Sequence, residues 1–303
     1  MIRRGTLDDA AAAARLCSVV DPYMLITTRS LEYEMRTAPA RAESAHWAAV
    51  EDGELVGWAF ATRTYWSSAE DEAMCVVRVH PDNRGRGLGG ALYEAVEQHL
   101  DSLAIKRVTT WSHDTDASRD FAERRGFEVI GSMTASGVDP RTIGELPEPE
   151  PGTVLVPFTE FDDNPEPIWR IDVEAGRDIP TDAPFDFDAL ELEEWLELIW
   201  RHPDHDLELG TVAIVDGEPA SMTSVLSDRP TARAVTQMTG THRAYRHRGL
   251  AQLVKQRSLQ RAAQVGITLA LTGNHAVNVA MLGINARLGY EPLESVVEWI
   301  RLR

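Results

Sequence analysis

The stretch Arg84-Gly-Arg-Gly-Leu-Gly89 decides the fold. It follows the apolar run Met74-Cys-Val-Val-Arg-Val79 and precedes Gly90-Ala-Leu-Tyr-Glu-Ala-Val96, so the order reads strand, glycine-rich turn, helix. A helix that opens in small residues leaves its first backbone N–H groups unpaired and pointing outward. With the positive end of the helix dipole these donors form a site for a pyrophosphate, and small residues let the anion approach the backbone closely. The turn is not the GxxxxGK[ST] nucleotide loop, because no Lys-Ser/Thr follows. It is not a dinucleotide fingerprint either, because Arg stands in the first glycine position.

A looser copy of the turn lies at Arg246-His-Arg-Gly-Leu-Ala251, between the run Ala234-Val-Thr-Gln-Met-Thr239 and the helix-like Leu253-Val-Lys-Gln-Arg-Ser-Leu259. Both copies obey Arg-x-x-Gly-x-(Gly/Ala). Each is followed by a short amphipathic segment ending in Gly-aromatic: Ala117 to Gly126-Phe127 in the first half, Asn278 to Gly289-Tyr290 in the second. Arg84 and Arg246 are 162 residues apart, Gly126 and Gly289 163. A near-constant offset over two motifs indicates a tandem duplication. The chain of 303 residues accommodates two domains of ordinary size, expected at 1–140 and 153–303. Between them, residues 141–152 belong to a stretch rich in Pro, Gly and Glu with no hydrophobic period, the composition of a linker.

With these four segments the chain resembles the GNAT superfamily of acyl-CoA-dependent N-acyltransferases, twice over. The family signature is Val-x-Val-x-Pro-x-x-(Arg/Gln)-x-x-Gly-x-(Gly/Ala), followed after a strand by Asn-x-x-Ala-x-x-Leu-Tyr-x-x-x-Gly-Phe. Val77, Val79, Pro81, Arg84, Gly87 and Gly89 match its first part. In the second half Arg246, Gly249 and Ala251 match, while Thr241 replaces the second Val and Arg243 the Pro. Asn278 matches the family's CoA-contacting Asn, where the first half has Thr115. The family's tyrosine general acid is replaced by Ala122 in one half and Asn285 in the other. The resemblance implies an α/β (α+β) fold of two tandem domains, each a mixed, mostly antiparallel central sheet flanked by helices. It implies that acetyl-CoA or another acyl-CoA is held by Val77, Val79 and the loop Arg84, Gly85, Arg86, Gly87, Leu88, Gly89 and Gly90. In the second half the corresponding set is Thr241, Arg246, His247, Arg248, Gly249, Leu250, Ala251 and Asn278.

The chemistry implied is direct attack of a neutral amine on the thioester carbonyl, with a base to take a proton and a donor for the leaving thiolate. Backbone N–H groups on the splayed central strand polarise the carbonyl, and positioning supplies much of the rate. Candidate bases are Glu70, Asp71 and above all Glu72 in the first half, and His275, His242 or a carboxylate of the acidic tract described below in the second. Asn285 can hold a water or the thiolate sulfur where the tyrosine is missing. Cys75 lies on the strand before the loop, but no His neighbour activates it. The second half, with Asn278, is expected to carry the reaction, and the first to bind acyl-CoA or support the fold. Two readings stay open beside the enzyme: a non-catalytic acyl-CoA sensor, and a scaffold built from decayed domains.

Composition narrows the partners. The hydrophobic and charged fractions, 43% and 26%, are those of a soluble globular chain, and no apolar run approaches membrane-spanning length. The N-terminal Met1-Ile-Arg-Arg-Gly-Thr-Leu-Asp-Asp9 has no signal-like apolar core, and two distant cysteines form neither a disulfide framework nor a zinc pattern. A reduced cytoplasm is the expected setting, with no metal, as a monomer or homodimer. A net charge of −18 argues against nucleic acid and for a cationic partner. An acidic tract opens the second half (Asp162, Asp163, Glu166, Asp172, Glu174, Asp178, Asp182, Asp186, Asp188, Glu191, Glu193, Glu194, Glu197), interleaved with Trp169, Phe185, Phe187, Trp195 and Trp200. Much of it reads as solvated surface. A part suits the mouth for a cationic small-molecule amine with an apolar body, such as an antibiotic or other specialised metabolite.

Local patterns predict a helix from Leu7 to Val20 capped near Thr6, hairpins turned at Asp52-Gly53 and Asp216-Gly217, and a helix over Leu190 to Ile199. The run Val296 to Leu302 is expected to close the sheet of the second half.

Overall fold

A computed structural model describes residues 1–67, 69–180 and 189–303. In chain order the strands and helices of the first half are β1 (Ile2–Arg4), α1 (Ala10–Val20), α2 (Thr28–Thr37), β2 (Ala45–Glu51), β3 (Glu54–Arg63), β4 (Glu72–Val79), α3 (Leu88–Ser102), β5 (Arg107–His113) and α4 (Asp116–Glu123). There follow β6 (Glu128–Val138), β7 (Thr153–Pro157), α5 (Glu166–Gly176), α6 (Leu192–Trp195), β8 (Thr211–Val215), β9 (Glu218–Asp228), β10 (Arg233–Thr241), α7 (Leu250–Gln264), β11 (Leu269–His275), α8 (Val279–Arg287) and β12 (Glu291–Leu302).

These elements form two compact units. One holds residues 1–132 with Ser295–Arg303; the other holds 133–180 and 189–294. In the first, β1, β2, β3 and β4 pair antiparallel in sequence, β4 pairs parallel with β5, and β5 pairs antiparallel with β12. In the second, β7, β8, β9 and β10 repeat the antiparallel run, β10 pairs parallel with β11, and β11 pairs antiparallel with β6. Each unit is therefore the mixed, mostly antiparallel α/β sheet expected of it. The strand at 296–302, expected to close the second sheet, instead pairs with β5 of the first. It is anchored there by Trp299, whose Nε1 donates to Ser112 Oγ at 2.9 Å, and by Arg301, 2.8 Å from Glu97. The reason is register: the alternate residues Val297 and Trp299 complete an apolar face with Leu92, Val96 and Val108.

Alternation along the strands divides each core in two. In the first unit Trp47 and Ala59 face α3, while Ala48 and Trp58 face α1 and α2. In the second, Val212 and Met222 pack with Ile168 and Ile171 of α5, and Ala213 and Val215 pack with Leu250, Leu253 and Val254 of α7. Gly240 lets α5 lie close to β10: a Cβ there would stand 2.7 Å from that of Ala175. Both Asp-Gly hairpins carry positive φ at both positions (51° and 84°, 50° and 91°), the geometry that matches strand twist. The expected cap at Thr6 is present, with the Thr6 N–H donating to Asp9 Oδ2 at 2.9 Å, although the first turn is 3-10 and the α-helix begins at Ala10. The segment read as a linker is held against α7: Gln256 and Gln260 donate to the carbonyl of Gly144.

Candidate functional site

In each unit the parallel strand pair holds register only briefly. β4 and β5 match at Glu72↔Arg107, Ala73↔Val108 and Met74↔Thr109, and then part. β10 and β11 match from Arg233↔Leu269 to Thr236↔Thr272, and then part. The result is a wedge in the sheet with one strand end on each side. At its mouth sits the glycine turn. Gly85 and Gly87 adopt φ of 75° and 84°, and His247 and Gly249 adopt 63° and 73°. A Cβ at Gly85 or Gly87 would meet nothing, so glycine is needed there for the left-handed backbone rather than for space. His247 holds the same conformation at a cost that Gly85 avoids. Gly87 and Gly249 cap α3 and α7 without any side-chain acceptor, which leaves the first helical N–H groups open to an anion. Arg84 Nε donates to Val79 O, and Arg246 Nε to Thr241 O, both at 3.1 Å; the arginine ties each loop to its strand.

In the first unit these features enclose a cleft of about 960 Å³. Val77, Val79, Arg84, Gly85, Gly87, Leu88, Gly89 and Gly90 line it, so most of the expected acyl-CoA set stands together; Arg86 turns away to Glu51, at 2.7 Å. Gly89 approaches Phe121 closely enough that a Cβ would lie 3.2 Å from the ring. Glu72 is outside the cleft: it lies in the paired part of β4, 3% exposed, bound to Arg107 and to Ser67 Oγ. Cys75 lines the cleft, but burial pushes its thiol up to about 12, so it is no nucleophile. Three cleft residues escaped the sequence reading. Asp21, at the end of α1, accepts from Arg78 of β4 and from His113 of β5, the latter at 2.9 Å. Burial would raise the Asp21 carboxyl, but the hydrogen bond from His113 and the charge of Arg78 outweigh it and hold it below the usual range. Asp21 and His113 are 92 positions apart, with no pattern to couple them.

The second unit is built differently at the same places. β10 bulges between Thr236 and Met238, where it leaves β11, so the backbone at Gln237 is out of the ladder. Asn285 is 3% exposed and donates from Nδ2 to Asn274 Oδ1 at 2.6 Å, which holds it at the open end of β11. Asn278 accepts from the Met281 N–H and so caps α8. The loop arginines have carboxylate partners: Arg243 and Arg246 both reach Asp178 at 2.6 Å, and Arg248 reaches Glu150 at 2.7 Å. Leu250 is a core residue, and the Thr241 hydroxyl bonds Ser221 at 2.8 Å. His242 pairs with Glu174 at 3.4 Å rather than facing the wedge.

Much of the acidic tract is already paired: Glu166 with Arg170, Glu197 with Arg201, Asp178 with the loop arginines. Trp195 and Trp200 are core residues at 3% and 7% exposure, rather than the lining of a mouth. Trp195 Nε1 donates to Asp172 Oδ2 at 2.6 Å, and burial pushes that carboxyl up to about 6 despite the bond. Asp182, Asp186, Asp188, Phe185 and Phe187 lie outside the described residues. Among the described residues no group of three or more His, Cys, Asp or Glu could hold a metal ion, and no helix is long and apolar enough to cross a membrane.

A profile of the acetyltransferase (GNAT) family matches residues 18–127, the span that includes the first wedge and loop. The same fold over the whole chain occurs in a tandem GNAT protein from the clavulanic acid biosynthesis pathway, with TM-score 0.74, 20% identity, and coverage of 100% of this chain and 98% of that one. Residues 18–127 thus match the GNAT family, and the whole chain has the fold of a tandem GNAT protein. A GCN5-related N-acetyltransferase from Sphaerobacter thermophilus superposes equally well, at TM-score 0.74 and 18% identity, over 100% of this chain and 95% of its own. Curated relatives of this chain include the mycothiol acetyltransferase of Nocardiopsis dassonvillei, 29% identical over 63% of this chain and 60% of that one. The mycothiol acetyltransferase of Saccharomonospora viridis is 29% identical over 81% and 79%. The matched region thus spans less than two thirds of the first relative's length.

Proposed function

We propose that this chain is an acetyl-CoA-dependent N-acetyltransferase for a small-molecule amine, with transfer from acyl-CoA held in the second unit and a further acyl-CoA site in the first. The observation that carries the reading is the wedge: a parallel pair that parts beside an uncapped helix N-terminus. It offers one slot for an extended pantetheine arm and one cradle for the pyrophosphate. The second unit adds the bulge at Gln237, which frees backbone from the ladder where a thioester carbonyl would lie. Strand alternation assigns the two faces of β11. Thr272 and Asn274 face α7 and α8, and His275 faces the opposite side, where α5 and α6 pack. An amine entering on the α5 side meets His275 as its base, while Asn285 and Asn274 hold the thioester end. Glu72 takes no part.

The relatives named for mycothiol acetylation speak for a small-molecule acceptor rather than a protein. The net charge of −18 speaks for a cationic one, through long-range steering more than through a charged mouth. A reduced cytoplasm suits the two free, buried cysteines. The test is release of CoA thiol from acetyl-CoA across a panel of amines, at low and high salt, with calorimetry alongside. Turnover supports the enzyme; binding without turnover would make the chain a sensor, and neither would make it a scaffold. Rates indifferent to salt, or a preference for neutral acceptors, would remove the cationic acceptor alone.

A further inference from the structure

Lys255 is 1% exposed in the middle of α7. Its Nζ donates to Thr272 Oγ1 at 3.3 Å and stands 4.8 Å from the centre of the Tyr290 ring. A buried ammonium without a counter-charge is costly, and a methionine would fill the same space without that cost. The place it occupies is the apex of the second wedge. Thr272 is the last residue of β11 in register with β10. In the first unit, Tyr93 stands six residues beyond Gly87, as Lys255 stands six beyond Gly249. Tyr93 lines the cleft there together with Thr110. Lys255 and Thr272 are thus on the face from which the thioester enters, opposite His275. The family's tyrosine acid has no counterpart in this unit, where Asn285 replaces it.

We propose that Lys255 is the positioning residue that delivers, through the Thr272 hydroxyl, the proton taken up by the departing CoA thiolate. The inference rests on the acyltransferase reading above. As the amine nitrogen bonds to the acyl carbon, the C–S bond breaks and its electron pair stays on sulfur. Thr272 gives its hydroxyl proton to the sulfur and receives one from Lys255 in the same movement. The proton lost by the amine leaves through His275, and Lys255 is recharged from solvent between turnovers. Burial pushes the Lys255 ammonium down to about 7, below an alkyl thiol at roughly 8.5, so the transfer runs downhill. The protonated form is the active one, so the rate falls as pH rises through this range. Tyr290 is the titratable group that faces Lys255. On the other elements packed against α7, Glu218, Asp228 and Arg233 stand at the strand ends of β9 and β10, and Arg141 is paired with Asp139 on the 140–142 turn.

The experiment measures kcat against pH for the full chain, for Lys255→Met and for Thr272→Val, with acetyl-CoA affinity by calorimetry and melting temperature for each. The expected result is a wild-type descending limb near pH 7 that both variants lose, with kcat about 100-fold lower at pH 6. Affinity should be unchanged, and K255M should melt no lower than wild type. A K255M enzyme that keeps the limb, or stays within threefold of wild-type kcat at pH 6, overturns the inference while leaving the acyltransferase reading intact. Absence of wild-type turnover with every amine overturns both. Should K255M melt below the assay temperature, a T272V enzyme that retains the limb overturns the inference by itself.

Discussion

The carboxyl of Asp172 offers a stability test whose size follows from its surroundings. The side chain is half-buried against α6, accepts one hydrogen bond from Trp195 Nε1, and is raised by burial from 3.8 to about 6. The folded state then binds the proton more tightly than the unfolded chain does, so stability is greatest below pH 3.8 and falls as pH climbs to 6. At 1.36 kcal/mol per pH unit the full loss is about 3 kcal/mol, and water reaching the half-buried group trims it, leaving roughly 1–3 kcal/mol. Asp172→Asn keeps an oxygen for the Trp195 donor and removes the charge. The variant should match wild type near pH 3.5 and exceed it by about 1–3 kcal/mol at pH 8, read from urea unfolding followed by tryptophan fluorescence. A constant difference between variant and wild type across that range would refute the reasoning. So would a less stable variant at pH 8.

Gly87→Asp in the full chain should remove one class of acetyl-CoA site from calorimetric titrations, since the carboxylate faces the pyrophosphate cradle and the residue must hold φ of 84°. Unchanged stoichiometry and affinity would refute the cradle. Asn278→Ala should lower turnover while far-UV circular dichroism stays native, at a cost of about 1 kcal/mol for the lost cap of α8. If G87D alone abolishes turnover and N278A is silent, the chemistry moves to the first unit. Asp21→Asn should destabilise by about 3–5 kcal/mol by stranding the buried Arg78, whereas a paired Asp21→Leu with Arg78→Met should recover most of it. Additive losses in that denaturant cycle would show the pair to be uncoupled.

The loops, the central strands and the duplication were legible because each is written locally. Arg84 to Gly89 and Arg246 to Ala251 carry their own backbone requirements, and the Asp-Gly turns carry theirs. What was not legible depends on contacts across the sequence. Val296 to Leu302 reads as a strand by its alternation, but nothing in that alternation says which open edge it will join. Asp21, Arg78 and His113 meet only because α1, β4 and β5 converge. Lys255 lies within a helix whose neighbours Leu253, Val254 and Leu259 are buried, but a single lysine among them reads as an exposed position until Tyr290 and Thr272 are seen to cover it. Trp195 and Trp200 read as a mouth by their proximity to carboxylates, whereas packing against Phe158 decided for the core.

The pairing of β12 with β5 bears on how the molecule is made. The first 132 residues hold five of the six strands of their sheet, and the sixth begins at Glu291, long after β5 ends at His113. On a ribosome adding about 5–20 residues each second, β5 waits on the order of ten seconds or more for its partner. Through that interval one hydrogen-bonding edge and the apolar positions that meet Val297 and Trp299 stand open. Cutting between the halves would not release two self-sufficient pieces. Each fragment would carry a strand that belongs to the other, and the natural repair for two such fragments is mutual complementation, in trans, by strand donation.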